Sequence, residues 1–333
     1  MYYGDKVDTL RDLFGASDVT VHADQVVVDG AAFPIVDDVI LLLGVDQWPE
    51  WLRQRRGEQG GRSASSADFA PDIQKTFGAE WRAYPKIMAE HAQEFRQYFD
   101  VVDLDSLNGK RVMDLGCGIG RWSYFLKDRA RDLVLVDFSE SVFVARENLR
   151  AAPNALFFLG DLTRLPFRDD CADLVVCLGV LHHLPVDAIA AVRSLARYAQ
   201  RLVIYLYSAL DGRPAYQRVL LGIVTAIRKV AVRIESPMSR AVFTWLAALL
   251  LYWPAIGIGH VVRPFRLARY VPLYDFYHDK SGERIRQDVY DRFFTRIEQR
   301  VSRPQIRALA DTFVRISISD QLPQWHFLCE RAR

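Results

Sequence analysis

A glycine-rich turn that follows a short apolar run is the first place in this chain where residue types and spacing indicate chemistry. Gly116, Gly118 and Gly120 stand two residues apart, and glycine lets a backbone turn sharply and approach a ligand without a Cβ in the way. Asp114 precedes the first glycine by two residues, where its carboxylate can face an ammonium group. Arg121 takes the place of the last glycine of a dinucleotide fingerprint, which disfavours a pyrophosphate. We expect the loop to hold a cationic amino acid moiety.

Two more carboxylates follow the next apolar runs. Asp137 ends the run 133–137 and can accept both ribose hydroxyls of a nucleoside, with Phe138 beside the base. Asp161 follows the run 155–159 and can accept from an exocyclic amine. Taken alone, Asp137 could be a turn residue and Asp161 a helix cap. Their positions at successive strand ends favour ligand binding instead, because ligands of open α/β sheets bind at that edge.

The elements that position these residues alternate between apolar runs and helical stretches. Such continuous runs predict a parallel sheet that is covered on both faces. The runs lie at 111–115, 133–137, 155–159, 174–178 and 202–207, and strands return near 314–319 and 325–329.

Four of these motifs carry a family resemblance. Asp114 to Gly120, Asp137, Asp161 and the stretch from Leu165 to Leu184 resemble, in order and spacing, the motifs of class I S-adenosylmethionine-dependent methyltransferases. The resemblance implies an α/β fold with a Rossmann-like seven-stranded sheet. It also implies S-adenosyl-L-methionine as the methyl donor, with no metal. A nicotinamide-dependent dehydrogenase is the distant rival.

The resemblance assigns the donor contacts residue by residue. By the resemblance, the methionine end of the donor contacts Asp114, Gly116, Cys117, Gly118 and Gly120. The ribose contacts Asp137, and the adenine contacts Asp161 and Leu162. Cys177 and Leu178 contact the far side of the donor. A helix with Trp81 and Tyr84 resembles one that closes over the donor in some of these enzymes, although an aromatic helix face is more commonly a core face.

A base is needed if the methyl acceptor is a hydroxyl. His182 and His183, just past the fourth strand, are the catalytic candidates, and the alternative is that this pair only packs and shapes the site. Further polar aromatic candidates for an acceptor pocket are Tyr205, Tyr207, Tyr274, His278 and His326.

The middle of the chain, 209–288, leaves the strand pattern and is predicted to be a helical insertion. Residues 215–234 place apolar side chains at helical spacing among basic ones, as in helices that lie on anionic membranes. The stretch 242–262 has no Asp, Glu, Lys or Arg and is long enough to span a bilayer. The segment 213–270 holds nine basic residues and one acidic residue, Glu235.

Three interpretations of the insertion stay open: an ordinary core helix of a substrate domain, a lid over an apolar acceptor, and docking on an anionic membrane surface. A membrane crossing is disfavoured because Pro254 interrupts the run and strands of the sheet resume afterwards. We expect a small lipophilic or lipid-linked acceptor, such as a lipid-linked saccharide, polyketide or quinone, with oxygen slightly favoured as the methylated atom.

The remaining segments are predicted as a small β-rich leader (1–54), a linker (55–72), a helical lead-in with the donor-binding core (73–208), and a C-terminal part that completes the sheet (289–333). The leader resembles the second half of a zinc-ribbon domain that accompanies some methyltransferases, but the metal-binding cysteines are absent.

The composition of the chain limits which partners and which cellular compartment are expected. The net charge of +2 gives no reason to expect nucleic acid. The four cysteines form no C-x-x-C pair, and charges near residue 5 interrupt any secretory signal. We therefore expect a cytoplasmic protein, peripheral at the inner membrane face. A donor-binding scaffold without catalysis, acting as a membrane or protein adaptor, is the alternative function.

Overall fold

The chain folds into two units in the computed structural model, which describes residues 1–57, 71–211, 214–321 and 324–332. The first unit comprises Met1–Ala209 and Gln299–Arg333, and the second comprises Leu210–Glu298. Most of the predicted linker, residues 58–70, lies outside the described residues, and so does Arg213.

The strands of the described residues all belong to the first unit. They are β1 (Val19–Val21), β2 (Gln25–Val28), β3 (Ala31–Val36), β4 (Val39–Leu41), β5 (Arg111–Leu115), β6 (Asp132–Asp137), β7 (Ala155–Leu159), β8 (Leu174–Leu178), β9 (Arg201–Leu206), β10 (Arg315–Ile318) and β11 (Trp325–Glu330).

The α-helices of the described residues follow the same alternation in the first unit and fill the second. They are α1 (Val7–Phe14), α2 (Glu50–Arg56), α3 (Pro71–Ala83), α4 (His91–Tyr98), α5 (Ser123–Leu126), α6 (Ser141–Asn148), α7 (Ala188–Leu195), α8 (Ala215–Ala231), α9 (Pro237–Ala247), α10 (Trp253–Val262), α11 (Tyr274–Tyr277), α12 (Gly282–Phe294) and α13 (Arg303–Arg307).

One sheet connects the strands in the order β1-β2-β3-β4-β7-β6-β5-β8-β9-β11-β10. From β4 to β9 along this order the neighbours are parallel, and β11 runs antiparallel to both β9 and β10. Every residue of β5, β6, β7 and β8 is buried, as a sheet covered on both faces requires. The predicted Rossmann-like α/β fold is confirmed.

The strand order reverses at β5, which lies between β6 and β8. The chain moves from β5 to β6 and β7 on one side, then returns to β8 on the other. Connections therefore leave the carboxyl ends of β5 and β8 in opposite directions, and the gap between them is where doubly wound sheets bind ligands. The glycine loop begins at this point.

The sheet is wider than the seven strands predicted, because the leader does not form a separate layer. Strand β4 pairs in parallel with β7, so the leader's four strands extend the central sheet to eleven among the described residues. Val39, Ile40 and Leu41 are buried there, and they cover an edge of β7 that would otherwise be open to other strands. The Tyr3 hydroxyl links the leader to β7: it donates to the Asp38 carbonyl at 2.7 Å and accepts from the Phe157 N–H at 3.2 Å.

The second unit is helical, as predicted for the insertion, and extends from Leu210 to Glu298 rather than from 209 to 288. Its C-terminal boundary falls later because α12 continues without interruption past residue 288. Helices α9 and α10 are joined by a π-helical turn, Ala248–Tyr252. The resulting helical stretch, Pro237–Phe265, is long and apolar enough to cross a membrane, judged by length and composition only.

We predict that Arg111→Leu lowers the free energy of unfolding by about 3 kcal/mol, since it breaks a buried ion-pair network. Arg111 is buried; its Nε donates to Asp132 at 2.9 Å and its Nη1 donates to Asp12 of α1 at 2.6 Å. Urea-induced unfolding measures the change. Arg150→Leu, which removes an exposed pair with Glu147, should cost under about 1 kcal/mol; equal costs for the two variants would contradict the assignment.

Candidate donor-binding site

Asp114 is a carboxylate buried at the carboxyl end of β5. Its Oδ2 accepts a hydrogen bond of 2.7 Å from the Ser123 hydroxyl at the start of α5. Burial raises the pKa of Asp114 to about 7, and the nearby charge of Asp137 adds to the rise while Arg121 opposes it. A carboxylate in this environment is strongly stabilised by a cation placed against it, which fits the ammonium group expected there from the sequence.

Asp137 holds the glycine loop against the end of β6. Its Oδ2 accepts from the Gly118 backbone N–H at 2.9 Å, and its Oδ1 accepts from the backbone and hydroxyl of Ser139 at 2.8 and 2.7 Å. Burial raises the pKa of Asp137, although these bonds oppose the rise. Most of the roughly four acceptor positions of this carboxylate are thus occupied within the chain. Asp137 therefore serves as a turn residue, and acceptance of both ribose hydroxyls stays a prediction that requires some of these bonds to be exchanged.

Two glycines of the loop stand where there is no room for a side chain. Gly116 has a φ of +76°, and a Cβ there would lie 2.3 Å from Cγ2 of Val180. Gly118 has a φ of +53°, and a Cβ there would lie 3.2 Å from the Trp81 indole. The structure therefore brings Trp81 against the loop. Because both glycines combine a left-handed backbone with a close neighbour, the turn requires them in addition to any ligand.

Helix α3 packs beside the loop that follows β6. The Gln74 side chain donates to the Phe138 carbonyl at 2.6 Å, and Arg82 forms an ion pair with Glu140 at 3.0 Å. Tyr84 lies just past the end of this helix, and its N–H donates to the Glu80 carbonyl. These contacts place the aromatic helix next to Phe138 and the loop that follows Asp137, the predicted ribose ligand.

Sequence reasoning missed the residues that hold this arrangement together. Ser123, Ser139 and Gln74 each bond a predicted site residue, and all three are buried. A serine two residues after a strand-end aspartate is a recognisable turn signal, so Ser139 could have been predicted. Gln74 is bonded across 64 residues of sequence, and no local pattern indicates such a pair.

The remaining predicted contacts occupy the neighbouring strand ends. Asp161 follows β7 and accepts from the backbone and hydroxyl of Thr163 at 2.9 and 2.7 Å, both through Oδ1. Leu162 is buried beside it. Cys177 and Leu178 end β8; burial raises the pKa of Cys177, and the negative charge of Asp114 adds to the rise. Cys117 is buried in the loop itself. Their contacts with the donor stay predictions.

The two histidines lie in a cluster of rings beyond β8. The ring centroids of His182 and Tyr207 are 4.0 Å apart in a stacked arrangement, and those of His183 and Phe77 are 5.4 Å apart. Both histidines are buried. Burial lowers the pKa of His182 well below its usual value, and the positive charges of His183 and Arg300 add to the effect. His182 is therefore held neutral.

A third histidine, His326, lies on β11, the last strand along the chain. His326 on β11 is directly opposite Tyr205 on β9, and its Nε2 is 2.8 Å from a carboxylate oxygen of Asp100. Tyr207 follows β9 within the histidine cluster described above. Tyr274 and His278 belong to the second unit, where their rings stack at 4.9 Å. The five acceptor-pocket candidates thus divide between the two units.

No group of three or more His, Cys, Asp or Glu side chains within the described ranges is arranged to hold a metal ion.

Comparison with known proteins identifies one segment of the chain. Residues 112–201 match the family model described as a methyltransferase domain, and this segment contains the glycine loop, Asp137, Asp161 and both histidines. Over this segment the chain is a methyltransferase domain, and its strand order agrees with the class I fold that the sequence predicts. The methyl donor of this class is S-adenosyl-L-methionine, and the glycine loop of the methyltransferase domain, with the buried Asp114 beside it, fits the amino acid end of that compound.

Curated relatives of the methyltransferase domain include enzymes of two kinds. The chain is 35% identical over 116 residues to a demethylmenaquinone methyltransferase of Beutenbergia cavernae, covering 33% of this chain and 48% of that protein. It is 25% identical over 122 residues to a malonyl-(acyl-carrier protein) O-methyltransferase of Pectobacterium atrosepticum, covering 37% of this chain and 40% of that protein. The chain thus spans under half the length of these two relatives.

Among solved structures, the chain is similar to the magnesium protoporphyrin IX methyltransferase of Synechocystis PCC 6803. The identity is 16%, the TM-score is 0.40, and the match covers 85% of this chain and 94% of that one.

The first site prediction concerns pH. The pKa of Asp114 is about 7 in the folded protein and about 3.9 in an unfolded chain, so between these values the folded state binds more protons. The free energy of unfolding should therefore fall by up to about 4 kcal/mol as pH rises from about 4 to about 7. Asp114→Asn should remove most of this fall in urea titrations at several pH values. Asp128→Asn, at an exposed position, should not; a slope unchanged by Asp114→Asn would refute the assignment.

The second prediction concerns the crowded glycine. Gly116→Ala should weaken binding of S-adenosylhomocysteine, measured by calorimetry, at least about tenfold, since the new Cβ displaces Val180 and strains the loop. Adding Val180→Ala should restore part of the affinity. Gly109→Ala is the control, because Gly109 has a φ of +70° with open space around it: it should cost about 1 kcal/mol of stability without changing affinity. If both glycine variants weaken binding equally, the crowding argument fails.

Proposed function

We propose that this protein transfers a methyl group from S-adenosyl-L-methionine to a small lipophilic or lipid-linked acceptor, with oxygen as the favoured acceptor atom. The observation that supports this most is the buried Asp114 carboxylate, with a pKa near 7, next to a glycine loop at the switch point of the sheet. The donor-binding residues are those named above, from Asp114 to Leu178, with Trp81 and Tyr84 on the side of α3.

The donor, when bound, supplies a methyl group on a positively charged sulfur, which an incoming atom attacks from the side opposite that sulfur. Asp114 would hold the ammonium group, and the bare backbone of Gly116 and Gly118 would let the methionine part approach the sheet. Asp137 and Asp161 would fix the nucleoside. Such positioning accounts for most of the rate enhancement that a reaction with an activated donor needs.

A hydroxyl acceptor would need a base near the histidine cluster. A base whose pKa lies far below the working pH accepts a proton poorly, and burial lowers the pKa of His182 in this way. We therefore assign the base to His183 and a supporting role to His182, whose ring stacks on Tyr207.

The acceptor class is proposed from two observations. The named relatives act, by their names, on demethylmenaquinone and on a malonyl group carried by a protein, the first of which is lipophilic. The second unit exposes many large apolar side chains. We propose that the segment 213–270 brings the protein to the inner membrane surface, where lipophilic acceptors are found, and that the protein is otherwise cytoplasmic.

A catalytic assay separates this function from that of a scaffold that binds the donor without using it. Protein incubated with radiolabelled S-adenosylmethionine and total lipid extract should release S-adenosylhomocysteine and label a lipid-soluble product. Asp114→Asn should abolish the label by weakening donor binding, measured separately by calorimetry. Tight donor binding without labelling of any lipid, quinone or carrier-protein fraction would favour the scaffold.

For the histidines we predict that His183→Phe lowers kcat at least about a hundredfold without changing donor affinity, since it removes a proton acceptor and keeps a ring. His182→Phe, which preserves stacking on Tyr207, should leave kcat within about threefold. The measurement is kcat against pH with a hydroxyl acceptor found in the assay above. Equal losses for the two variants would instead indicate that the pair only shapes the site.

A further inference from the structure

Helix α8 of the second unit exposes a continuous apolar face. Six large apolar side chains on it are 37 to 64% exposed and recur at steps of three or four residues, which places them on one side of the helix. They are Tyr216, Val219, Leu220, Ile223, Ile227 and Val230. The opposite side is anchored within the unit, where buried Arg228 forms an ion pair with Glu298.

The stretch Pro237–Phe265 is also two-sided. Its inner side is held within the unit by both polar and apolar contacts. Arg240 donates to the Tyr290 hydroxyl at 3.0 Å, and the ring centroid of Phe243 lies 5.3 Å from that of Phe293. Tyr252 packs edge-on against Tyr277 with ring centroids 5.0 Å apart. Its outer side presents exposed apolar side chains along its whole length. They are Met238, Val242, Trp245, Leu246, Leu249, Leu250, Leu251, Ile258, Val261 and Phe265.

The charged helix α12, which packs beside Pro237–Phe265, determines whether this stretch can cross a membrane or only lie on its surface. α12 packs against α9 and against the π-helical turn, and it carries charges that include Arg284, Asp288 and Asp291. A crossing by Pro237–Phe265 would carry these charges into the hydrocarbon, which is strongly unfavourable. A helix that lies along the interface inserts only its outer apolar side and leaves α12 in water.

The positive charge of residues 214–270 indicates what kind of partner covers the exposed apolar side chains. Residues 214–270 contain eight arginines and lysines and one acidic residue, Glu235, and basic residues such as Arg218, Arg263 and Arg266 are exposed. Two copies of this surface would oppose like charges, whereas a bilayer with anionic lipids attracts them.

We infer that the second unit docks on an anionic bilayer, with the outer sides of α8 and of Pro237–Phe265 inserted at the interface and no segment crossing the membrane. This docking rests on the proposed function for its purpose, since it would give the methyltransferase access to acceptors dissolved in the bilayer. The binding itself depends only on the second unit.

Vesicle co-sedimentation of the full chain tests the docking. Binding to vesicles of phosphatidylglycerol and phosphatidylcholine should be at least about tenfold tighter than to phosphatidylcholine alone, and about 0.5 M salt should weaken it severalfold. The double variant Leu249→Glu, Leu250→Glu should lose at least about tenfold in affinity. Val314→Glu, at an exposed apolar position of the first unit, should bind as the parent does.

The depth of insertion separates lying along the interface from crossing. All four native cysteines are buried, so Leu250→Cys can be labelled selectively with a fluorophore. Its emission should be quenched by lipids that carry a nitroxide near the headgroup more than by lipids that carry it near the bilayer centre, and Glu283→Cys on α12 should be quenched by neither.

Three results would overturn the docking: no vesicle binding, equal binding to both vesicle types, or strongest quenching from the bilayer centre. A doubled mass in solution, abolished by the double glutamate variant, with no vesicle binding would instead identify a second copy as the occupant. Calorimetry with S-adenosylhomocysteine is run on each variant. Unchanged helix content by circular dichroism shows that a docking failure is not a folding failure of the second unit, while absent donor binding in the parent would contradict the proposed function separately.

Discussion

The burial of the Asp114 carboxylate at the end of β5 is the constraint on which the methyltransferase domain depends. A carboxylate there is costly without a cation, and the Ser123 hydroxyl bonds it at 2.7 Å. The strand order places it at the ligand-binding edge, because connections diverge on either side of β5 and leave its carboxyl end facing the crevice. The glycine loop begins two residues later and is held by Asp137 on one side and contacted by Trp81 of α3 on the other.

Asp137, the predicted ribose ligand, has a structural role that does not depend on a ligand. It fastens the glycine loop to the end of β6 through the Gly118 N–H, so the loop keeps its shape before any ligand arrives. Preformed sites of this kind lose less conformational entropy on binding. The same contacts keep Gly116 and Gly118 in their left-handed conformations. The bond from Gly118 to Asp137 and the packing of Val180 and Trp81 hold the loop in this shape.

The two units bury their apolar surface to different extents. In the first, the sheet is covered on both faces and the leader extends it beyond β7, so that its large apolar side chains are mostly inside. In the second, contacts such as that of Arg240 with Tyr290 hold the inner side of the long apolar stretch, while large apolar side chains on its outer side and on α8 stay exposed. Monomeric soluble proteins rarely leave such continuous apolar faces exposed, which supports the membrane docking proposed for this unit.

Local pattern in the sequence was sufficient for the α/β core, because each buried parallel strand is a short apolar run and each predicted ligand residue lies at or next to the end of one. Asp114, Asp137 and Asp161 could be placed on one edge for that reason. Tertiary structure decided what depends on partners distant in sequence: the pairing of β4 with β7, which turned a seven-stranded prediction into an eleven-stranded sheet, and the bond from Gln74 to Phe138. It also decided which side of the amphipathic helices faces outward, since periodicity gives a helix two sides but not the neighbour that covers one of them.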